Sequence, residues 1–341
     1  MNSSTMRLLR VLLISATSFF LCLPTRAGAQ KIDIDVAKKE GRIVLYGTVP
    51  SQSMDVFNKG FERKYGIKVD YWRASSTKIM DRVLAEWRSG RPGFDIIEGT
   101  QAAQLILKKE GFFIRYVPFG SERFPEQFKD KEGIMTPWRI LPFSILYNTE
   151  LVKPADVPKN LDHLLNPRWK KKISIPDPSR HTTTAELLRN LEKVKGEKWL
   201  DFVKALAKQQ PHMVESFAPV PDVLIRGEAE VGITFIKYLK QFKGPIDYVL
   251  MDKHLAYPSY FTLSAKAASP NAAKLYLDYA ASPEAQKAMA EKEGEFVLYP
   301  GIYPPIRDAD KVVERTIFMD PPTAEEFKQL SSLFRDIFFG K

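Results

Sequence analysis

The sequence predicts an α/β protein of two lobes, each a mostly parallel sheet flanked by helices, with a ligand cleft between them. Three observations carry this. Short apolar strands alternate with amphipathic helices from residue 42 to residue 109 through short connections, the pattern of a parallel sheet covered on both faces. The alternation breaks over 112–136, an irregular stretch with aromatics and prolines, and resumes near residue 173. The 341 residues suffice for two units of ordinary domain size. At 44% hydrophobic and 27% charged residues, the composition excludes a disordered chain.

Taken in order, residues 32–39 predict a short helix ended by Glu40-Gly41, and 42–46 a buried strand closed by Gly47-Thr48. Met54, Phe57, Phe61 and Tyr65 recur at helical spacing, which predicts a helix over Ser51–Tyr65 stopped by Gly66. A strand follows over 67–71. Ser75-Ser76-Thr77 then caps a helix through Arg88 that turns Ile79, Met80, Val83, Leu84 and Trp87 inward. Residues 94–97 form a third strand and Gln101–Lys109 a third helix. The extended run 138–147, interrupted by Pro142, crosses into the second lobe. There the pattern predicts a short helix over 161–165, a strand over 173–175, and helices over 183–193, 198–209 and 220–226. Gly227 opens the approach to a strand over 231–234, and another strand is expected over 246–251. Residues 257–264 carry the chain back to helices over 271–281 and 283–291, with Pro283 at a first helical position. A helix over 323–338 closes the chain. The lobes are expected to comprise residues 30–137 with 256–308, and 138–255 with 309–341.

Residues 1–29 read as an export signal. Arg7 and Arg10 open it, 11–23 is an apolar run too short for a permanent span, and Ala27-Gly28-Ala29 is a small-x-small cleavage site. Cleavage after Ala29 leaves Gln30 as the mature N-terminus and a periplasmic protein. The only cysteine, Cys22, lies in this segment behind Phe19-Phe20-Leu21, without the small residues that precede a lipid-modified cysteine. The mature chain then has no thiol and no disulfide. Cleavage removes Arg7, Arg10 and Arg26 and no acid, so the formal charge falls from +10 to +7. Basic and acidic residues alternate along most of the chain. The densest basic run, Arg168-Trp169-Lys170-Lys171-Lys172, reads as a solvated turn, so no nucleic-acid partner is expected. His163, His181, His212 and His254 lack metal-ligand spacing, and there is no nucleophile elbow, Gly-rich phosphate loop or HExxH. The expectation is a monomer that is not an enzyme and carries no cofactor or metal.

Several phrases occur in an order that resembles the periplasmic solute-binding proteins of ABC importers, in the two-lobed class that includes the ferric-ion-binding proteins. They are Ile43-Val44-Leu45-Tyr46 after Lys39-Glu40-Gly41, then the run from Phe61 to Val69, Phe94-Asp95-Ile96-Ile97, Asn166-Pro167-Arg168-Trp169-Lys170, and Ser282-Pro283-Glu284-Ala285-Gln286. The resemblance covers nearly all of residues 31–308. It implies a type II periplasmic-binding-protein fold, a small-molecule ligand held by hinge closure between the lobes, and a permease partner in the inner membrane. In ferric-binding members, adjacent tyrosines after the strand at 231–234 hold the metal together with a His or Tyr and a carboxylate from the first lobe. Here those positions read Lys237-Tyr238, with Val49-Pro50 and Thr100 near the other two. An ammonium at Lys237 repels a cation. The main expectation is therefore a receptor for a small anionic organic solute, a carboxylate, phosphonate or sulfonate. The alternatives are a ferric receptor using Tyr46, Glu98 and Tyr238 in a shifted register, or a secreted enzyme.

The cleft candidates follow from strand ends and helix starts. Tyr46 and Thr48 end the first strand, and Glu98 and Thr100 the third. Ser75, Ser76 and Thr77 offer hydroxyls and free N–H groups to an anion, or simply cap their helix; Thr182 and Thr183 repeat the device in the second lobe. Arg139 is either a bidentate clamp on the anion or part of an inter-lobe salt bridge. Lys237 is either an anion donor or a surface lysine, and as a donor its replacement by Glu should abolish binding and spare the fold. Tyr238 follows it. Tyr147, Phe217, Phe235 and Tyr257 are either cleft wall or core.

Overall fold

The computed structural model describes residues 32–340, and the export signal with its cleavage site lies outside the described residues. The chain first runs α1 (Ile34–Glu40), β1 (Arg42–Gly47), α2 (Ser51–Tyr65), β2 (Lys68–Arg73), α3 (Ser76–Arg88), β3 (Ile96–Thr100), α4 (Gln101–Lys109) and β4 (Phe113–Ile114). The long β5 (Met135–Asn148) leads to β6 (Ile173–Pro176), α5 (Thr182–Asn190), α6 (Glu192–Lys195), α7 (Trp199–Lys208), β7 (His212–Val214), α8 (Val220–Ile225), β8 (Val231–Phe235), α9 (Tyr238–Gln241) and β9 (Ile246–Tyr248). β10 (His254–Ser264) returns the chain, followed by α10 (Pro270–Ala281), α11 (Pro283–Glu293), β11 (Phe296–Val297), α12 (Ala309–Glu314), β12 (Thr316–Phe318) and α13 (Ala324–Phe339).

The apolar spacing read in the sequence does what it should. Met54, Phe57 and Phe61 of α2 are fully buried, and Gly66 ends the helix at φ 73°, a left-handed conformation that suits glycine. The sheet order is β2-β1-β3-β10-β5-β8-β6-β7. β2-β1-β3 and β8-β6-β7 are parallel, whereas β10 and β5 run antiparallel between them. β5 pairs with β10 up to Pro142 and with β8 from Phe143 onward, so a single strand passes from one parallel group to the other. This is a type II two-lobed fold with a cleft between the lobes. One apolar core joins β6, α5, α7 and β8; two others cover the opposite faces of β1–β3.

Two expected elements are shorter than read. The helix expected over 183–193 breaks after Asn190, and a separate turn begins at Glu192. The strand expected over 246–251 pairs only over Ile246–Tyr248, because the chain then turns into β10, which takes up the same β5 strand at Pro142. β7 and β12, of three residues each, are too short to show alternation and were not anticipated.

Gly232 lets α8 lie close on β8. A Cβ there would meet Val220 Cγ1 at 2.6 Å and the Ser174 carbonyl oxygen at 3.2 Å. Gly232→Ala is expected to cost about 1–3 kcal/mol, read as a lower urea midpoint.

Glu186 of α5 is 1% exposed, and its Oε2 has no partner among the described residues. Burial pushes its carboxyl from 4.5 up to about 8, and Asp320 adds to the shift. The unfolded chain therefore releases this proton at lower pH than the native state. The stability that this carboxyl contributes is full below pH 4.5 and is lost as pH rises towards 8. Glu186→Gln is expected to be on the order of 2–3 kcal/mol more stable than the parent at the upper end of that window and equal to it at the lower end. Urea unfolding at both ends checks this.

Candidate functional site

Six parallel strands deliver their C-terminal ends to the cleft, as open α/β sheets do. From one lobe β1 contributes Thr48, Val49 and Pro50, β2 contributes Arg73, Ala74, Ser75 and Ser76, and β3 contributes Thr100. From the other, the loop after β6 brings His181 and Thr183, the loop after β7 brings Ser216, Phe217 and Ala218, and β8 brings Phe235, Lys237 and Tyr238. Arg139 and Leu141 of β5 and Tyr257 of β10 complete a cavity of about 80 Å³. Among the described residues its lining holds three cations, Arg73, Arg139 and Lys237, and no carboxylate.

Two helices point their N-terminal ends at each other across this space. Ser75 caps α3, and its side chain accepts from the Lys78 N–H at 3.4 Å. α5 starts behind His181 with no side-chain cap at all. Thr77 Oγ1 of α3 and Thr182 Oγ1 of α5 lie 3.3 Å apart, so the two starts touch. Each helix start leaves N–H groups without intrahelical partners and carries partial positive charge. Arg73, just before α3, is exposed and makes no ion pair with another described residue.

Behind the cavity lies a buried charge network. The Arg139 guanidinium donates through Nη1 to Glu295 Oε1 and through Nη2 to Glu98 Oε1, the latter at 3.2 Å. Lys237 Nζ donates to the same Glu295 oxygen at 2.7 Å. Ser259 Oγ donates to Glu98 Oε1 at 2.6 Å, and the Thr48 N–H and hydroxyl both donate to Glu98 Oε2 at 2.9 Å. All four charged residues are at most 3% exposed. Burial alone would push Glu98 up, but Arg139, Ser259 and Thr48 outweigh it and hold the carboxyl below its ordinary value. Burial lowers Lys237, with Glu295 opposing. Two cations thus face two anions. Arg139 Nε and Glu295 Oε2 remain buried without partners among the described residues.

His181 sits edge-on to Phe217, with ring centroids 5.2 Å apart, and its Nδ1 shares a 2.8 Å hydrogen bond with Thr184 Oγ1. Burial pulls its pKa to about 4 against the pull of Asp177, so the ring is neutral at neutral pH.

Strand ends from two lobes that surround one cavity, joined by crossing strands, are the geometry of a hinged receptor. Residues 91–319 match the family described as bacterial extracellular solute-binding protein. The chain belongs to that family. Iron uptake protein A2 of Synechocystis is 24% identical over 303 residues, covering 82% of each chain. The periplasmic binding protein AfuA from Actinobacillus pleuropneumoniae, with exogenous fructose-6-phosphate bound, superposes with a TM-score of 0.76 at 23% identity, over 87% of this chain and 98% of that one. Iron-bound HitA from Pseudomonas aeruginosa gives 0.71 at 18% identity, over 87% and 99%. The protein is thus a solute-binding receptor of an ABC importer, in a family of periplasmic binding proteins that serve transport.

The receptor brings most of the expected site residues together. Thr48, Ser75, Ser76, Thr100, Arg139, Thr183, Lys237 and Tyr238 line the cavity, with Thr77 and Thr182 in contact at its edge. Tyr46 lies elsewhere: it is buried in the core between the first sheet and α3, packs on Trp72 and Phe94, and donates its hydroxyl to Glu86 Oε1 at 2.9 Å. Tyr147 is also remote, on the part of β5 that pairs with β9, with its hydroxyl 3.5 Å from Asp247. Glu98 stands behind the lining and not in it. Arg139 is no free clamp, because both its terminal nitrogens are engaged. Lys237 is no surface lysine. Phe217, Phe235 and Tyr257 form cavity wall. Sequence reasoning missed Arg73, although its position directly before a helix cap at a strand end was a usable signal. It also missed Glu295, which had none.

Proposed function

We propose that the receptor binds a small organic anion, a carboxylate, phosphonate or sulfonate, between its lobes and delivers it to its permease in the inner membrane. The observation that carries this is the cavity lining: Arg73 without an ion-pair partner among the described residues, no carboxylate among the described lining residues, and two helix starts aimed inward. An anion there is attracted from both lobes, so it favours the closed state over the open one and drives hinge closure. Export with cleavage after Ala29, action as a monomer and the lobe boundaries 30–137 with 256–308 and 138–255 with 309–341 belong to the same proposal.

The ferric reading draws on what the names of Iron uptake protein A2 and HitA say of those proteins. The donor chemistry of this chain supports it less. Tyr46 is committed to Glu86, Glu98 to Arg139, and burial with Glu295 nearby raises the Tyr238 pKa, which disfavours a phenolate. Native mass spectrometry of the freshly purified receptor tests the proposal. One organic anion per chain is the expected result. Bound iron with visible charge-transfer absorbance overturns it. The same spectra read the mature mass and the oligomeric state.

A further inference from the structure

We infer that the anionic group this receptor selects is a tetrahedral dianion, a phosphate monoester or phosphonate, seated between the starts of α3 and α5 beside Arg73, on a small hydroxylated body that faces Tyr238 and Tyr257. This rests on the anion reading above and narrows it.

Geometry argues first. A planar carboxylate is held best by the fork of an arginine that gives two parallel hydrogen bonds. The one buried arginine of the lining, Arg139, has one bond from each terminal nitrogen turned to Glu98 and Glu295, so the end-on fork is directed away from a ligand and Nε is its unpartnered donor. The remaining donors converge from separate directions: the first turn of α3, the first turn of α5, the hydroxyls of Ser76 and Thr183, and Arg73. Donors spread over two lobes suit three oxygens on a tetrahedral centre better than two in a plane.

Charge argues second. Arg139 and Lys237 are matched by Glu98 and Glu295. What is left unmatched at the cavity is Arg73 and two helix starts, together about two positive charges at roughly half a charge per helix end. That balances a dianion and overcompensates a sulfonate or carboxylate. His181 stays neutral above pH 5 or so and adds no charge.

A third observation is independent of the helices. Tyr238 and Tyr257 are each 4% exposed and line the cavity, and neither hydroxyl bonds to another described residue. Arg139 Nε is likewise buried without a partner. Hydroxyls on largely buried rings that line a cleft and bond to no other described residue are free to bond a ligand there. Phenol rings with free hydroxyls fit a body that offers both C–H faces and hydroxyl groups.

The test uses three probes with one dihydroxypropyl body: glycerol 3-phosphate, 2,3-dihydroxypropane-1-sulfonate and glycerate. Each is titrated calorimetrically into the mature receptor at pH 8. The expected order is phosphate, sulfonate, glycerate, with the phosphate about tenfold or more ahead and weakening about tenfold between pH 8 and pH 5 as its second ionisation near 6 is lost. Arg73→Gln, at an exposed position, should keep the parent's unfolding midpoint and lose phosphate affinity more than glycerate affinity. Glycerate binding as tightly as the phosphate overturns the inference and leaves the anion reading standing. Failure of all three probes overturns the inference, and if Fe(III) then binds with visible absorbance the anion reading falls too.

Discussion

Lys237→Glu is expected to unfold the receptor, not merely to empty its cleft. Lys237 is 3% exposed, and its Nζ lies 2.7 Å from Glu295, itself fully buried. The substitution sets a third carboxylate beside Glu295 and Glu98 with only Arg139 to compensate them. Breaking a buried pair by removing one partner costs about 3–5 kcal/mol, and a new like charge adds to that. A domain of about 5–15 kcal/mol total stability does not absorb such a loss easily. Lys237→Met keeps the aliphatic stem and leaves Glu295 paired to Arg139, so a smaller loss is expected. Urea unfolding followed by far-UV circular dichroism separates the cases. A Glu variant with the parent's midpoint would mean that the network is open to water in solution. The sequence-based expectation that this change spares the fold came from treating Lys237 as a ligand donor at a helix start. Its partner lies 58 residues further on, and no local pattern announces it.

That contrast marks what could be read in advance. Elements whose residues specify their own burial were legible: Met54, Phe57 and Phe61 define α2, and Gly66 stops it. Residues at the junction of strand end and helix start were legible too, since a parallel sheet sends all such junctions to one edge; hence Thr48, Ser75, Ser76, Thr100 and Thr183. Tyr46 failed for a specific reason. The sheet is covered on both faces, so Ile43 and Leu45 pack into one core while Val44 and Tyr46 pack into or against another. With both parities buried, alternation cannot tell which strand-end residue turns to the cleft. The network of Glu98, Arg139, Lys237 and Glu295 draws on β3, β5, the end of β8 and the turn after α11. Only the assembled topology makes those four neighbours.

A Thr77→Cys, Thr182→Cys double variant is expected to lock the lobes together when oxidised. The two hydroxyl oxygens are 3.3 Å apart, and each sits on the first turn of a helix from a different lobe. The only native cysteine is Cys22, in the predicted export signal, so the mature double variant should carry no competing thiol. Because the cavity lies between the lobes, a bound solute leaves only when they part. Exchange of a bound anion should therefore stop in the oxidised form and return on adding a reductant, which a filter-binding assay reads directly. The rate of cross-linking carries a second consequence. Without an anion, two helix starts and Arg73 confront one another with like partial charge, and the closed state is disfavoured. With an anion between them the same groups attract a common partner. Cross-linking should then be faster in the presence of ligand, and Arg73→Gln should narrow that difference. An oxidised protein that exchanges its ligand at the parent's rate would show that the contact between α3 and α5 is not the gate.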